Sequence, residues 1–220
     1  IPPAKSMVIV DRNLKLQPRD EIGQHHPIDL FFKSLAQDQG DTSIGVVLSG
    51  TGNDGTAGLR EIKAAGGITF AQDESAQHDG MPRSAIAAQC VDFVLSPRRI
   101  AEEIARIAHH PYIGRSAAAA SGSAISVKEE PALNRILRQL QRATEVDFAS
   151  YKPNTIQRRI ARRMVLHRLE TMDQYAQLLA DRPEEAAVLF QDILIGVTGF
   201  FRDPQTFDAL QGEVFPDLLK

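Results

Sequence analysis

With 220 residues, 43% of them hydrophobic, the chain can bury one or two real cores, and with no Trp it has nothing to mark a large aromatic site. A net charge of −3 gives no general attraction to nucleic acid, and no apolar run approaches the ~20 residues that a membrane helix needs. Cys90 stands alone, which excludes a disulfide framework and a cysteine zinc cluster, predicts no metal, and fits a reducing cytoplasm with the thiol as a small buried apolar group. There is no signal-peptide pattern; the opening Ile1-Pro2-Pro3 and the closing Lys220, inside a helix-like pattern, read as cuts within something longer.

In chain order, strand-like runs at 7–10, 44–48, 68–71 and 93–95 alternate with helical patterns near 28–36, 56–65, 84–89 and 99–108. Such alternation predicts a parallel α/β sheet with right-handed crossovers. Composition then shifts: residues 112–130 include Gly114-Arg115-Ser116-Ala117-Ala118-Ala119-Ala120-Ser121-Gly122-Ser123, small and poor in large apolar groups, which reads as a linker. After it come helical patterns at 132–144, 155–169, 172–180, 183–194 and from 204 onward, with no strand between them. The predicted organisation is an α/β unit over 1–111, the linker over 112–130, and an all-α unit over 131–220 that ends in the start of another domain.

The densest chemical signal is Ser49-Gly50-Thr51-Gly52-Asn53-Asp54-Gly55-Thr56-Ala57-Gly58. It leaves the β-branched run 44–48, turns through three glycines at the carboxyl end of a strand, and sets a carboxylate where a helix begins. Three readings stand. Asp54 is a site carboxylate; or Gly50-x-Gly52-x-x-Gly55 is a dinucleotide fingerprint with Asp73 as the ribose-binding acid; or Asp54 caps the helix over 55–65. Against the nucleotide reading, a carboxylate at the helix start repels phosphate.

Leu48-Ser49-Gly50-Thr51-Gly52-Asn53-Asp54-Gly55, then Ala65-Gly66-Gly67, Ala71-Gln72-Asp73-Glu74 and Gly80-Met81-Pro82-Arg83-Ser84-Ala85, together resemble the C-terminal half of the chemotaxis receptor methylesterases. The resemblance covers about the first 110 residues and implies part of a doubly wound α/β domain. In that family a Ser-His-Asp triad hydrolyses glutamate methyl esters on receptor helices, and the acid sits in a G-M-G-x-D-G turn, so the acid's role falls on Asp54. Its task is to accept a hydrogen bond from imidazole Nδ1–H, fixing the tautomer and stabilising the imidazolium. The family's G-x-S-x-G-G nucleophile turn is absent here, and Ser43, Ser49, Ser75, Ser84 and Ser96 lack that context. Thr51 replaces the usual Met. Gln24-His25-His26-Pro27 is similar to the family's Q-H-x-P but lies too close to Asp54, so His25 and His26 are read as loop or helix-start residues, and His78-Asp79 as a solvated loop.

In the second half, Ile156, Ile160, Met164 and Leu166 form an apolar stripe, and Arg158, Arg159, Arg162, Arg163 and Arg168 occupy the remaining arc of one helix. Five arginines in an acidic chain point to a docking surface for an acidic partner, against a merely solvated face. Thr198-Gly199-Phe200-Phe201-Arg202 resembles the T-x-F-F-R motif of chemotaxis receptor methyltransferases, and the basic helix resembles that family's small N-terminal helical domain. That resemblance implies S-adenosylmethionine as cofactor, with Thr198 and Arg202 near it; its main binding domain is not in this chain. The two resemblances together imply a fused, bifunctional receptor-modifying enzyme whose partners are the cytoplasmic helices of chemoreceptors, present here as a fragment inactive by itself. The competing class is a non-catalytic interaction module.

Overall fold

The computed structural model describes residues 4–19, 26–110, 130–148, 151 and 153–194. Three parallel strands, β3 (Ile44–Val47), β4 (Ile68–Gln72) and β5 (Phe93–Leu95), form one sheet in that order, with Ile44 opposite Ile68 and Phe70 opposite Phe93. β4 is buried along its whole length, Thr69 and Gln72 included, as the central strand of a parallel sheet covered on both faces should be. On one face of the sheet lie α1 (Pro27–Gln39), α2 (Thr56–Ala65) and α3 (Gly80–Ala87), packed through Phe32, Ala36, Val47, Leu59, Ile62 and Ala85. α4 (Pro97–Ala108) covers the other face through Ile100 and Ile107, with the Phe70 and Phe93 rings stacked beneath it, centroids 5.2 Å apart. With helices on both faces, the doubly wound expectation for this half holds.

The first strand departs from expectation. β1 (Lys5–Val10) does not join the parallel sheet; it pairs antiparallel with β2 (Asn13–Pro18), a strand the sequence pattern did not single out. Asp11 and Arg12 turn between them in the left-handed region, and Ile9 N–H donates to Ser34 Oγ of α1 at 3.0 Å. β2 is exposed throughout, so burial never wrote an alternating pattern strong enough to notice.

α1 and α2 approach closely because Gly58 has no side chain. A Cβ there would strike Phe32 Cβ and lie 3.1 Å from both Cα and O of Asp29, and main chain cannot step aside. α2 ends at Gly66 in the left-handed region (φ +97°), with Gly67 N–H returning to Ile62 O at 2.9 Å, the C-terminal closure that Gly-Gly permits.

The second unit contains α5 (Glu130–Thr144), α6 (Pro153–Leu166), α7 (Met172–Asp181) and α8 (Pro183–Leu194). Its core takes Ile136 and Leu140 from α5, Ile156, Ile160 and Met164 from α6, Tyr175 and Leu179 from α7, and Leu189 and Ile193 from α8. These follow the i, i+4 spacing of single helix faces. Thr171 opens α7 with a capping box to Gln174. The expected all-α unit is therefore present as far as Leu194. No helix among the described residues is long and apolar enough to cross a membrane.

The two units meet through the other face of α6. Val165 is buried and Leu166 packs beside it in the same apolar cluster as Ile68, Phe70, Ile100 and Ile107. Leu166 thus belongs to the contact between units, not to the helical core stripe in which the pattern had placed it. Gly58→Val is expected to lower the stability of the chain by ~1–3 kcal/mol in urea unfolding, because the overpacking falls on rigid backbone; an unchanged midpoint would mean the two helices separate without cost.

Candidate functional site

Asp54 lies past the carboxyl end of β3 and faces the first turn of α1. Gly55, at φ +93°, reverses the chain there; a Cβ on it would lie 2.9 Å from Ile28 Cγ2 and 3.2 Å from Val47 Cγ2. The Asp54 carboxylate accepts from Ile28 N–H at 3.1 Å and Asp29 N–H at 2.9 Å, two of the orphan donors at the start of α1. Asp54 therefore caps a helix, but not the one that follows it: α2 begins after Gly55 with no side-chain cap of its own. Its third N–H, on Gly58, instead donates to Asp29 Oδ1 at 2.7 Å. Each helix carries in or beside its first turn the carboxylate that caps the other. Sequence reasoning missed Asp29, whose only local signal is an acid in the first turn after Pro27.

His26 is the residue at which α1 starts, in line with the helix-start reading, and its Nδ1 is 3.8 Å from Asp54 Oδ1. His25 lies outside the described residues. Among those described, no serine or cysteine side chain is hydrogen-bonded to the His26 ring. Ser49 Oγ accepts from His78 N–H at 2.9 Å, Ser75 from Gln72, and Ser43 Oγ donates to Gly40 O. Side chains of His26, Asp29 and Asp54 bring ligand atoms within 4.8 Å of one another. Both carboxylates accept from main-chain N–H groups, and the reciprocal caps are what bring them together.

The loops around Asp54 are tied to one another. Gly50 N–H donates to His78 O at 2.8 Å, Met81 N–H to Gly50 O at 2.9 Å, and Ser49 N–H to Gln72 Oε1 at 2.9 Å. Gly80 sits against this loop, where a Cβ would lie 3.0 Å from Gly52 N. His78 and Asp79 are exposed, as a solvated loop requires, and Asp79 pairs with Arg83 at 3.4 Å. The glycine spacing does not cradle a pyrophosphate: Asp29 occupies the Gly58 N–H, and Asp54 sits beside the helix start. Asp73 is turned into its own loop, its carboxylate held below the usual range by hydrogen bonds from the Ser75 hydroxyl and N–H. Cys90 is buried beside Ala85 O, and burial raises its thiol pKa, so it behaves as the apolar group expected.

The arginine arc of α6 is only partly open to solvent. Arg159 and Arg162 are buried against the α/β unit. Arg159 Nη2 donates to Ala64 O at 2.6 Å at the carboxyl end of α2. Arg162 donates to Gly67 O at 3.1 Å, to both oxygens of Asp92 at 2.6 and 2.7 Å, and to Asp192 of α8 at 2.9 Å. Arg163 forks onto Glu185 at 2.7 and 2.6 Å within the helical unit. Arg158, half exposed, pairs with Asp41 at 3.4 Å, while Arg168, expected on the same helical arc, lies beyond the end of α6 at Leu166 with φ +58° and reaches Glu103 at 3.2 Å. The arginine spacing was legible; the acceptors in the α/β unit lie 65 or more residues away, and no local signal marks them. Thr198 and Arg202 lie outside the described residues.

Burial opposes ionisation of Glu185, yet hydrogen bonds and charge from Arg163, with His167 and the Tyr175 hydroxyl, hold its carboxyl below the usual range. A depressed carboxylate contributes stability above its unfolded pKa and loses it as pH falls through the folded one. Wild type is therefore expected to lose stability in urea unfolding as pH drops below ~4.3, the ordinary glutamate value, and Glu185→Gln to flatten that slope. Identical slopes would place the acid sensitivity elsewhere.

Residues 1–104 match the family model described as CheB methylesterase, and residues 131–194 the model described as CheR methyltransferase, all-alpha domain. An uncharacterized 104.1 kDa protein of the hypE 3′ region in Rhodobacter capsulatus is 40% identical over 237 residues, taking in 100% of this chain and 25% of its own length. A protein-glutamate methylesterase/protein-glutamine glutaminase of Burkholderia pseudomallei (strain 1710b) is 49% identical over 81 residues, 36% of this chain and 22% of its own. The chain thus spans about a quarter of the length of these curated relatives. Among solved structures, the CheB methylesterase catalytic domain of Thermotoga maritima is 29% identical with a TM-score of 0.40, over 45% of this chain and 55% of that one.

Proposed function

Because the chain joins a CheB methylesterase domain over residues 1–104 to a CheR all-alpha domain over residues 131–194, we propose that it belongs to a bifunctional enzyme of chemotaxis-type signalling. One half hydrolyses glutamate methyl esters on cytoplasmic chemoreceptor helices and the other methylates the same class of glutamate from S-adenosylmethionine. The Rhodobacter capsulatus relative supports the fused arrangement, since its similarity runs through both matched regions. With no G-x-S-x-G-G turn in the chain, the serine comes from sequence outside it, and the chain by itself is inactive.

The single observation that carries the hydrolase reading is the fixation of Asp54. Two main-chain N–H groups at the start of α1 hold its carboxylate in one orientation, at the loop edge of the sheet, with 19% of its side chain still exposed. Each carboxylate oxygen has a second lone pair, so Asp54 can accept a third hydrogen bond from an imidazole Nδ1–H without giving up either cap. An acid so held selects the tautomer whose Nε2 takes the serine proton and stabilises the imidazolium that results. In the methyltransferase half, S-adenosylmethionine supplies the methyl group; Thr198 and Arg202 are the proposed contacts of this chain with it. Arg202 would hold a carboxylate by a charge-assisted pair and could not act as a base. The helical unit, with Arg158, Arg159, Arg162 and Arg163, is proposed to dock the acidic receptor segment.

A second reading is favoured by the same bonds: Asp54 does no more than cap α1, in a non-catalytic interaction module. Asp54→Asn in the full-length protein separates the two. The amide keeps one acceptor for the cap but offers the histidine a wrong partner, so release of methanol from methylated receptor is expected to fall ~10⁴-fold while thermal unfolding shifts little. Wild-type hydrolysis by a folded Asp54→Asn protein would leave Asp54 a cap and nothing more.

A further inference from the structure

The docking role proposed for the α6 arginines meets an obstacle within the chain, because the α/β unit already occupies them. What it presents to them, and to Arg168 just beyond the helix, is a set of acceptors: the carboxylates of Asp41, Asp92 and Glu103, of which Asp92 also holds Lys63 and Glu103 also holds Arg106, and the carbonyl oxygens of Lys63, Ala64 and Gly67 where α2 ends. We infer that this surface is an internal competitor for the basic face of α6, and that a carboxylate-rich helical partner reaches Arg158, Arg159 and Arg162 only by displacing it. The inference rests on the docking reading given above and adds to it a closed state built into the fused chain.

The charges at this joint are arranged so that they survive its opening. Arg162 has a second carboxylate, Asp192, in its own helical unit, and Arg163 keeps Glu185. On the other side Asp92 keeps Lys63 at 3.6 Å and continues to accept from Thr69 N–H and Oγ1 at 3.0 Å. Separation therefore leaves neither Arg162 nor Asp92 without a partner, the outcome that makes breaking most buried pairs prohibitive. Arg159 differs. It bonds the carbonyl oxygens of Lys63 and Ala64 and no carboxylate among the described residues, and burial lowers its pKa. A partner carboxylate would serve it better than those carbonyls do, since charge-assisted bonds are the stronger kind. Arg158 and Arg168, with half or more of their side chains exposed, lie at the rim where an incoming acidic helix makes first contact. Val165 and Leu166, seated among Phe70, Ile100 and Ile107, add apolar contact to a joint that the Asp41 and Asp92 pairs keep closed at rest.

Asp41→Asn/Asp92→Asn, made in the full chain, removes charge from the α/β side alone, and the amide carbonyl so introduced in place of Asp92 still accepts from Thr69 N–H. The probe is a fluorescein-labelled, glutamate-rich helical peptide, followed by anisotropy at low salt, with hydrogen exchange over residues 153–166 read in parallel. The double variant is expected to exchange faster in α6 and to bind the peptide at least ~10-fold more tightly than wild type, since apparent affinity scales with the open fraction. Adding Arg158→Ala/Arg159→Ala should abolish the gain. Equal, arginine-dependent binding by wild type and variant would overturn the closed state and leave the docking reading standing. No binding by a variant whose α6 exchanges faster would remove the docking reading itself. Unchanged exchange in α6 would mean that Asp41 and Asp92 do not hold the joint, which also overturns the inference.

Discussion

Arg162 is the interaction on which the two-unit arrangement depends. Its guanidinium fork is spent in three directions: Gly67 O, the bidentate Asp92, and Asp192 on its own side. The Arg162 side chain is 3% exposed, so these bonds are made largely out of water. In such surroundings removing one partner of a pair costs ~3–5 kcal/mol, far more than an exposed ion pair contributes. An arginine suits this place better than a lysine, since one planar fork can satisfy carbonyl and carboxylates together. Around it, Arg159 supplies Ala64 O, at the carboxyl end of α2, with a donor, so one unit completes a helix terminus of the other.

The joint and the candidate site lie at opposite ends of the sheet. Gly67 and Asp92 precede β4 and β5, whereas the loop carrying Asp54 follows β3. Parallel strands impose that division, because every carboxyl end points the same way and open α/β sheets gather their sites there. The fused arrangement can therefore bind its helical unit along the other end without covering Asp54. Reciprocal capping by Asp29 and Asp54 gives the site end its own rigidity: the loop that carries the acid is bonded to the start of α1, and α1 is pinned by Gly58 against α2.

Much of this was legible along the chain because it is written in short-range patterns. The α2 helix over 56–65, β5, and α8 over 183–194 have the bounds expected, marked by Gly, Pro and apolar periodicity. β2 was not legible, since an exposed hairpin strand carries no burial pattern. Asp54 could be singled out from its glycine turn, and a cap was among its readings, but not the helix it caps. Asp29 offered nothing that separates a partner in a reciprocal cap from any acid in a first turn.

By itself the sequence determined the two units, their order, the helix that concentrates arginine and the turn that presents Asp54, since each follows from residue spacing within a few turns of chain. Only the tertiary structure decided where the arginines point and what the aspartates hold. Arg162 and Asp92 are 70 residues apart, and Asp54 and Asp29 are 25 apart. A charged residue in a sequence looks the same whether it faces water or a buried counter-charge. The difference is made by desolvation, which acts on the folded surface and leaves no mark on the local pattern.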